Sequence, residues 1–116
     1  MRYQGSCHCK RVAFEVEGEI ESAMACNCSI CQRKGSLLWF VPREQFTLNT
    51  PDEDASTYLF NRHAIRHRFC PVCGIHPYAE ATNPRTGLPM AAINIRCIEG
   101  IELEQIPVTH FDGRSM

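Results

Sequence analysis

Apolar and polar positions alternate along this chain in short runs, and each run stops at a turn residue. Residues 11–17 read RVAFEVE and place Val12, Phe14 and Val16 on one face, the period-two pattern of a half-buried strand. Residues 37–41 form a continuous apolar run, a candidate buried strand that Pro42 ends. Residues 46–49 predict another strand, followed by a turn at Asn49-Thr-Pro51-Asp-Glu. Residues 56–60 and 65–69 read as two strands joined around Asn61-Arg-His63. Residues 75–81 and 91–97 predict the last two strands, with Asn83-Pro-Arg-Thr-Gly87 as the loop between them. One helix fits the pattern. Ser29 caps its start, it runs toward Lys34, and Gly35 ends it. Many short strands separated by turns favour antiparallel β structure over βαβ units. The expected fold is mainly β, with at most one short helix, in a single domain over residues 1–116.

Composition changes this picture only slightly. Apolar residues at 44% and charged residues at 22% are ordinary for a folded domain. A β-rich chain of 116 residues buries a modest core and gains from a metal or covalent staple. No apolar run approaches the ~18–20 residues needed to cross a bilayer, so no membrane partner is expected. The start lacks an apolar leader segment, which points to a cytoplasmic protein with reduced thiols. The formal charge of −1 would fall to about −4 with seven thiolates on two zinc ions, against a nucleic-acid partner.

The chemistry lies in the cysteines. Seven of the eight fall into three clusters: Cys7-His-Cys9, Cys26-Asn-Cys28-Ser-Ile-Cys31 and Cys70-Pro-Val-Cys73-Gly. Disulfides are disfavoured by the reducing compartment and by the close spacing. Cys70 and Cys73 form a zinc knuckle, in which Pro71 presets one φ angle and Gly74 permits a left-handed turn. Cys7 and Cys9 complete it. Residues i and i+2 of an extended chain point to one side, so this pair offers two sulfurs together. Four thiolates make a closed, structural site that ties residue 7 to residue 73.

Cys26, Cys28 and Cys31 offer three thiolates from six residues, with Cys31 on the first helical turn, where the helix end lowers its pKa. Their fourth ligand is water, a substrate thiol or a distant side chain, the candidates being Cys97, His63, His67, His76 and His110. Cys97 sits in an expected apolar strand, where a small buried hydrophobe, a fourth ligand and a redox thiol all remain open readings. Three thiolates on Zn²⁺ carry a net negative charge. That is a poor generator of hydroxide and a good seat for a soft ligand such as another thiolate. Carbon–sulfur chemistry on a bound small thiol is therefore favoured, and no HExxH helix suggests peptide hydrolysis.

Three segments occur in order: Gly5-Ser-Cys7-His-Cys9, then Cys26-Asn-Cys28-Ser-Ile-Cys31 with Gly35, then Arg68-Phe-Cys70-Pro-Val-Cys73-Gly-Ile-His-Pro77. With Ile93-Asn-Ile-Arg-Cys97 and Thr109-His-Phe111-Asp-Gly113, they resemble the glutathione-dependent formaldehyde-activating enzyme family, also called the centromere protein V family. The resemblance covers nearly the whole chain. It implies a β-tent, antiparallel sheets folded around a structural zinc held by Cys7, Cys9, Cys70 and Cys73. It also implies a catalytic zinc held by Cys26, Cys28 and Cys31, hence two Zn²⁺ per chain. The implied reaction joins glutathione, the candidate co-substrate, to formaldehyde, giving S-(hydroxymethyl)glutathione; the activity is that of a carbon–sulfur lyase. This chain is shorter than the archetypal enzyme, so glutathione-contacting segments do not carry over.

Other residues take blander readings. Arg62, His63, Arg66, His67 and Arg68 crowd one hairpin and read as a solvated strand face rather than a carboxylate clamp, with Arg66 and Arg68 on one side and His67 on the other. Arg33 and Lys34 read as solvated, and Trp39 and Phe40 as core. Two functions compete with the enzyme: a non-catalytic zinc scaffold or interaction module, and thiol redox chemistry at Cys97.

Overall fold

The structure is a computed structural model and describes residues 1–60 and 64–115. The expected turn at 61–63, with Arg62 and His63, lies outside the described residues. The alternating run that carries Val12, Phe14 and Val16 becomes the centre of a three-stranded antiparallel sheet. β2 (Ala13–Glu17) pairs with β1 (Arg2–Ser6) on one side and β5 (Phe46–Leu48) on the other. The second sheet contains β3 (Ala23–Cys26), β4 (Leu38–Pro42), β6 (Ser56–Tyr58), β7 (Arg66–Phe69), β8 (Tyr78–Thr82), β9 (Pro89–Asn94) and β10 (Val108–Phe111). Its order is β10-β3-β4-β9-β8-β7-β6. The one helix, α1 (Ser29–Lys34), follows β3 directly.

The mainly β class with one short helix is as the sequence indicates. One edge departs from it: β10 runs parallel to β3, while the other pairings in this sheet are antiparallel. Residues 95–97 are a 3₁₀ turn rather than the end of a strand. The Asn94 side chain accepts from the Arg96 N–H at 3.2 Å and turns the chain there. Cys97 therefore does not sit on an apolar strand.

The two faces of the large sheet differ, and the register shows why. On one face Arg68, Tyr78, Ile93 and Trp39 stand in a row across four strands, and on the other His67, Ala79, Ala92 and Phe40 do the same. The first face meets the small sheet. There Phe14, Phe46 and Tyr78 pack at centroid separations of 5.4 Å (Phe14–Phe46) and 4.6 Å (Phe46–Tyr78) beside Val12, Val16, Ile93 and Ile95. Trp39 belongs to this core, as expected. Phe40 does not; strand alternation turns it outward, 41% exposed.

Arg68 corrects the solvated-face reading. It is 1% exposed, and its guanidinium donates to Asp52 Oδ1 and Glu80 Oε1 at 2.9 Å each. A buried arginine is tolerated because both carboxylates and two backbone carbonyls receive it. Arg66 reaches the same Glu80 oxygen from the surface, so the two arginines do share a side, with His67 opposite. The second face carries a smaller apolar cluster. Ala79 and Ala92 are short enough for α1 to lie against the sheet, and Cys31, Leu38, Met24 and Ile30 pack there.

Candidate metal centre

Two cysteine groups form, one packed with the core between the sheets and one with the smaller cluster on the second face of the large sheet. The Sγ atoms of Cys7, Cys9, Cys70 and Cys73 all lie within 4.8 Å of one another, with Cys7–Cys9 at 3.7 Å and Cys9–Cys70 at 3.5 Å. A tetrahedron of thiolates at ~2.3 Å from a central zinc has edges of about 3.8 Å, so the spacing fits one ion. The chain around Cys70 is a knuckle. Gly74 adopts φ 81° and donates to the Cys70 carbonyl at 2.8 Å. The N–H groups of Val72 and Cys73 point at Cys70 Sγ at 3.4 Å each.

The Cys7 side is built differently from the expectation. β1 ends at Ser6, and Cys7 to Lys10 turn back instead of continuing extended. Lys10 takes φ 70°, Cys7 N–H donates to Val12 at 2.9 Å, and Val12 N–H donates to Cys7 Sγ at 3.3 Å. The two sulfurs converge through this reversal rather than through strand alternation. Backbone donors also prepare the thiols for metal. Burial pushes Cys73 up, but the N–H groups of Ile75 and Cys9 outweigh it and bring it to about 6. Cys70 is likewise lowered against burial by the N–H groups of Cys73 and Val72.

The Sγ atoms of Cys26, Cys28 and Cys31 also lie within 4.8 Å of one another, and among the described residues no other His, Cys, Asp or Glu joins that group. Cys28, rather than Ser29, occupies the N-cap position of α1, and Gly35 closes the helix in the left-handed conformation. This reassigns the helix-end effect. Burial raises the Cys28 thiol, but the N–H groups of Cys31 and Ile30 leave it lowered overall. Cys31 is instead pushed up to about 12, by burial first and then by its neighbour Cys28.

Cys97 is not the fourth donor of this trio. It lies beside the other cluster, where burial and the nearby Cys7 and Cys73 push it up to about 11. It packs against the main core as a small hydrophobe. His110 is exposed on β10, and His63 lies outside the described residues. His67 and His76 stand near Lys34 on the trio's side of the sheet. Burial, reinforced by positive charge at Lys34 and His76, holds His67 at about 4. His76 is lowered by burial and by Lys34. The Nδ1 atoms of both imidazoles are buried without a hydrogen-bond partner among the described residues.

Lys34 corrects a second surface reading. It is half-buried, and burial lowers its pKa against the opposing pull of Cys31 and Cys28. Arg33 is exposed, as expected, and its guanidinium donates to the Ser29 carbonyl at 2.9 Å. Lys34, Arg33 and Ile30 of α1 form one wall of a cavity of about 830 Å³; Tyr58, Phe60, Phe69 and His76 form the other.

Residues 111–115 were not legible as part of the site. Asn27, within the trio's own segment, holds them: its Nδ2 donates to Asp112 Oδ1 and its Oδ1 accepts from Arg114 N–H, both at 2.9 Å. Arg114 also reaches Gln32 at 2.6 Å. Gly113 then lies against Cys26 so closely that a Cβ there would stand 2.6 Å from Cys26 Sγ. The sequence signal was the small residue in Asp112-Gly113 after a strand, which has meaning only once β10 is paired beside β3.

Comparison with known proteins gives a consistent picture. A family model described as glutathione-dependent formaldehyde-activating enzyme matches residues 2–111. A curated protein from Colletotrichum graminicola, described as a putative glutathione-dependent formaldehyde-activating enzyme, is 29% identical over 97 residues. That match covers 77% of this chain but 50% of the relative, so the chain spans about half the length of the curated protein. A crystal structure of a Rhodobacter sphaeroides protein superposes with a TM-score of 0.77 at 27% identity, covering 91% of this chain and 99% of that one.

Proposed function

The chain belongs to the glutathione-dependent formaldehyde-activating enzyme family, and from that premise we propose that it is a two-zinc enzyme that makes or breaks a carbon–sulfur bond on a small thiol adduct. In this reading Cys7, Cys9, Cys70 and Cys73 hold a structural ion, and Cys26, Cys28 and Cys31 hold the ion at which chemistry occurs. The observation that carries the reading is the second group itself: three sulfurs converge, and no fourth protein donor joins them among the described residues. A zinc ion there would supply a Lewis acid that keeps a substrate thiol ionised at neutral pH.

The chain's own residues set the rest. The three cysteines bring negative charge, and Lys34 offsets part of it from the cavity side. Gly113 lies against Cys26, and a small cavity of about 260 Å³ lined by Cys26, Asn27, Gln32, His110, Phe111 and Asp112 opens beside it, while the larger cavity borders the trio through Ser29, Ile30 and Lys34 of α1. The reaction is an addition. The thiolate sulfur bonds to the aldehyde carbon, the carbonyl π pair moves to oxygen, and that oxygen takes up the proton the thiol gave up. Reversal breaks the same bond. Glutathione is the thiol suggested by the family, with formaldehyde as its partner.

The test is a thiol titration of the cobalt-substituted protein. Visible bands that shift on adding glutathione support the enzyme. Bands that ignore glutathione and other small thiols favour a metal-stabilised scaffold without turnover.

A further inference from the structure

The cavity beside α1 is more aromatic than a one-carbon adduct of glutathione requires. Its volume, about 830 Å³, lies in the range of ~300–1,000 Å³ that suits drug-sized ligands. Its two ends differ in chemistry. Arg33 and Lys34 on α1 provide the cationic end. The opposite side is built of rings in near-parallel stacks: Tyr58 on Phe60 at 5.7 Å and 21°, and Phe69 on His76 at 5.1 Å and 28°, with the buried His67 behind Phe60. Ile30 and Ile75 extend this apolar side. Tyr58 is 49% exposed and Ile75 38%, so the rings and aliphatic groups are not consumed by packing against the core. His76 and Asn94 add polar groups to this otherwise largely apolar wall.

Glutathione and a hydroxymethyl group explain the cations and leave the exposed sides of the ring stacks without a ligand group to meet them. We propose that this cavity seats an aromatic ring carried on the adduct, so that the substrate class is the adduct of an acidic small thiol with an aryl-containing aldehyde. The inference rests on the thiol reading of the cysteine trio given above. Near-parallel aromatic faces favour a flat, polarisable group in offset-stacked or edge-on contact. Arg33 and Lys34 suit carboxylates on the thiol half. With an aryl aldehyde the bond changes are those already described: sulfur bonds to the carbonyl carbon, the π pair goes to oxygen, and the proton follows. No oxidant or reductant enters.

Two measurements on the zinc-loaded full chain test this. Calorimetry compares S-benzylglutathione with S-methylglutathione, and the benzyl compound is expected to bind at least tenfold more tightly. In Tyr58→Ala that preference falls several-fold, and Tyr58 is exposed enough that the variant keeps its fold. Amide resonances followed during addition of benzyl alcohol are expected to move at Ile30, Phe69 and Ile75 and not across the small sheet. Equal affinities for the two thioethers overturn the inference, as do benzyl alcohol shifts that are missing or lie elsewhere. A cobalt spectrum indifferent to thiols is the separate failure of the enzymatic reading. In that case the benzyl alcohol titration alone decides whether the cavity takes an aryl ring.

Discussion

The two cysteine groups use the same atom and nearly the same spacing, yet they are embedded in opposite ways. The four-cysteine group draws on both ends of a long stretch of chain. Cys7 follows the first strand of the small sheet and Cys70 follows β7 of the large one, so a metal there fastens the two layers together. Its sulfurs receive backbone N–H groups from two knuckles, and Cys7 and Cys70 are buried. The three-cysteine group is local. It spans the end of β3 and the start of α1, on the outer face of the large sheet, beside a half-buried lysine and a large cavity. A crosslink between distant segments restricts the unfolded chain; one within six residues restricts it very little. The difference predicts that losing the first site unfolds the protein, whereas losing the second leaves the fold and removes the proposed chemistry.

The sharpest way to break this contrast is Cys70→Ser. A structural zinc in small metal-dependent domains supplies ~10–16 kcal/mol of apparent folding energy, while ordinary domains have only ~5–15 kcal/mol of margin. The variant is expected to lose its cooperative thermal transition by circular dichroism; a melt like the wild type's would mean that this metal is dispensable.

Cys31→Ser should behave in the opposite way. Zinc per chain is expected to fall from two to one by elemental analysis, with a stability cost of about 1–2 kcal/mol, typical of a single substitution. A global unfolding as severe as that of Cys70→Ser would erase the distinction between the sites.

Gly113→Ala is a smaller and more directed change. Its Cβ would press on Cys26 Sγ at 2.6 Å. Overpacking costs ~1–3 kcal/mol, which corresponds to a loss of affinity of roughly 5- to 150-fold. The loss should appear in competition with a chromogenic chelator for the second metal only, while the first is retained.

The smallest effect concerns pH. His67 is held at about 4, below its ordinary value of 6.5, because burial keeps it neutral. The unfolded chain binds a proton in that window and the folded one does not, so stability is complete above about pH 6.5 and declines as pH falls toward 4. Acid also competes for the zinc thiolates, so the readout is a difference. Urea unfolding from pH 7 to pH 5 should show a shallower loss in His67→Gln than in wild type, by less than one proton equivalent. Identical slopes would remove His67 from the account.

The parts of the molecule legible from sequence are those where a residue's meaning is local. The RVAFEVE run, the Cys70–Cys73 knuckle with its Gly74 turn, and the three-part cysteine spacing each carry their signal within a few residues. What was not legible depends on partners distant in the chain. β1, β3 and β10 have no apolar alternation; RYQGS and VTHF become strands because β2 and β3 offer them free edges. Arg68 looked like a surface charge because Asp52 and Glu80, which receive it, are remote in sequence. Lys34 looked solvated for the same reason. Cys97 stayed open between a small hydrophobe, a ligand of the trio and a redox thiol because its strand was expected to continue, whereas Asn94 turns the chain and Cys97 lies by the other cluster. Gly113 carries its meaning only through the sulfur it lies against, across most of the chain.

The central claim is that four sulfurs close one metal site and three leave the other open to a thiol. Cadmium-113 NMR of the fully cadmium-substituted protein tests it most directly, because each ion reports its own donor set. The account predicts two resonances, of which one moves on addition of glutathione and is absent from Cys31→Ser, while the other is indifferent to both. Two resonances that both ignore glutathione, or a single all-sulfur environment for both ions before any thiol is added, would contradict it.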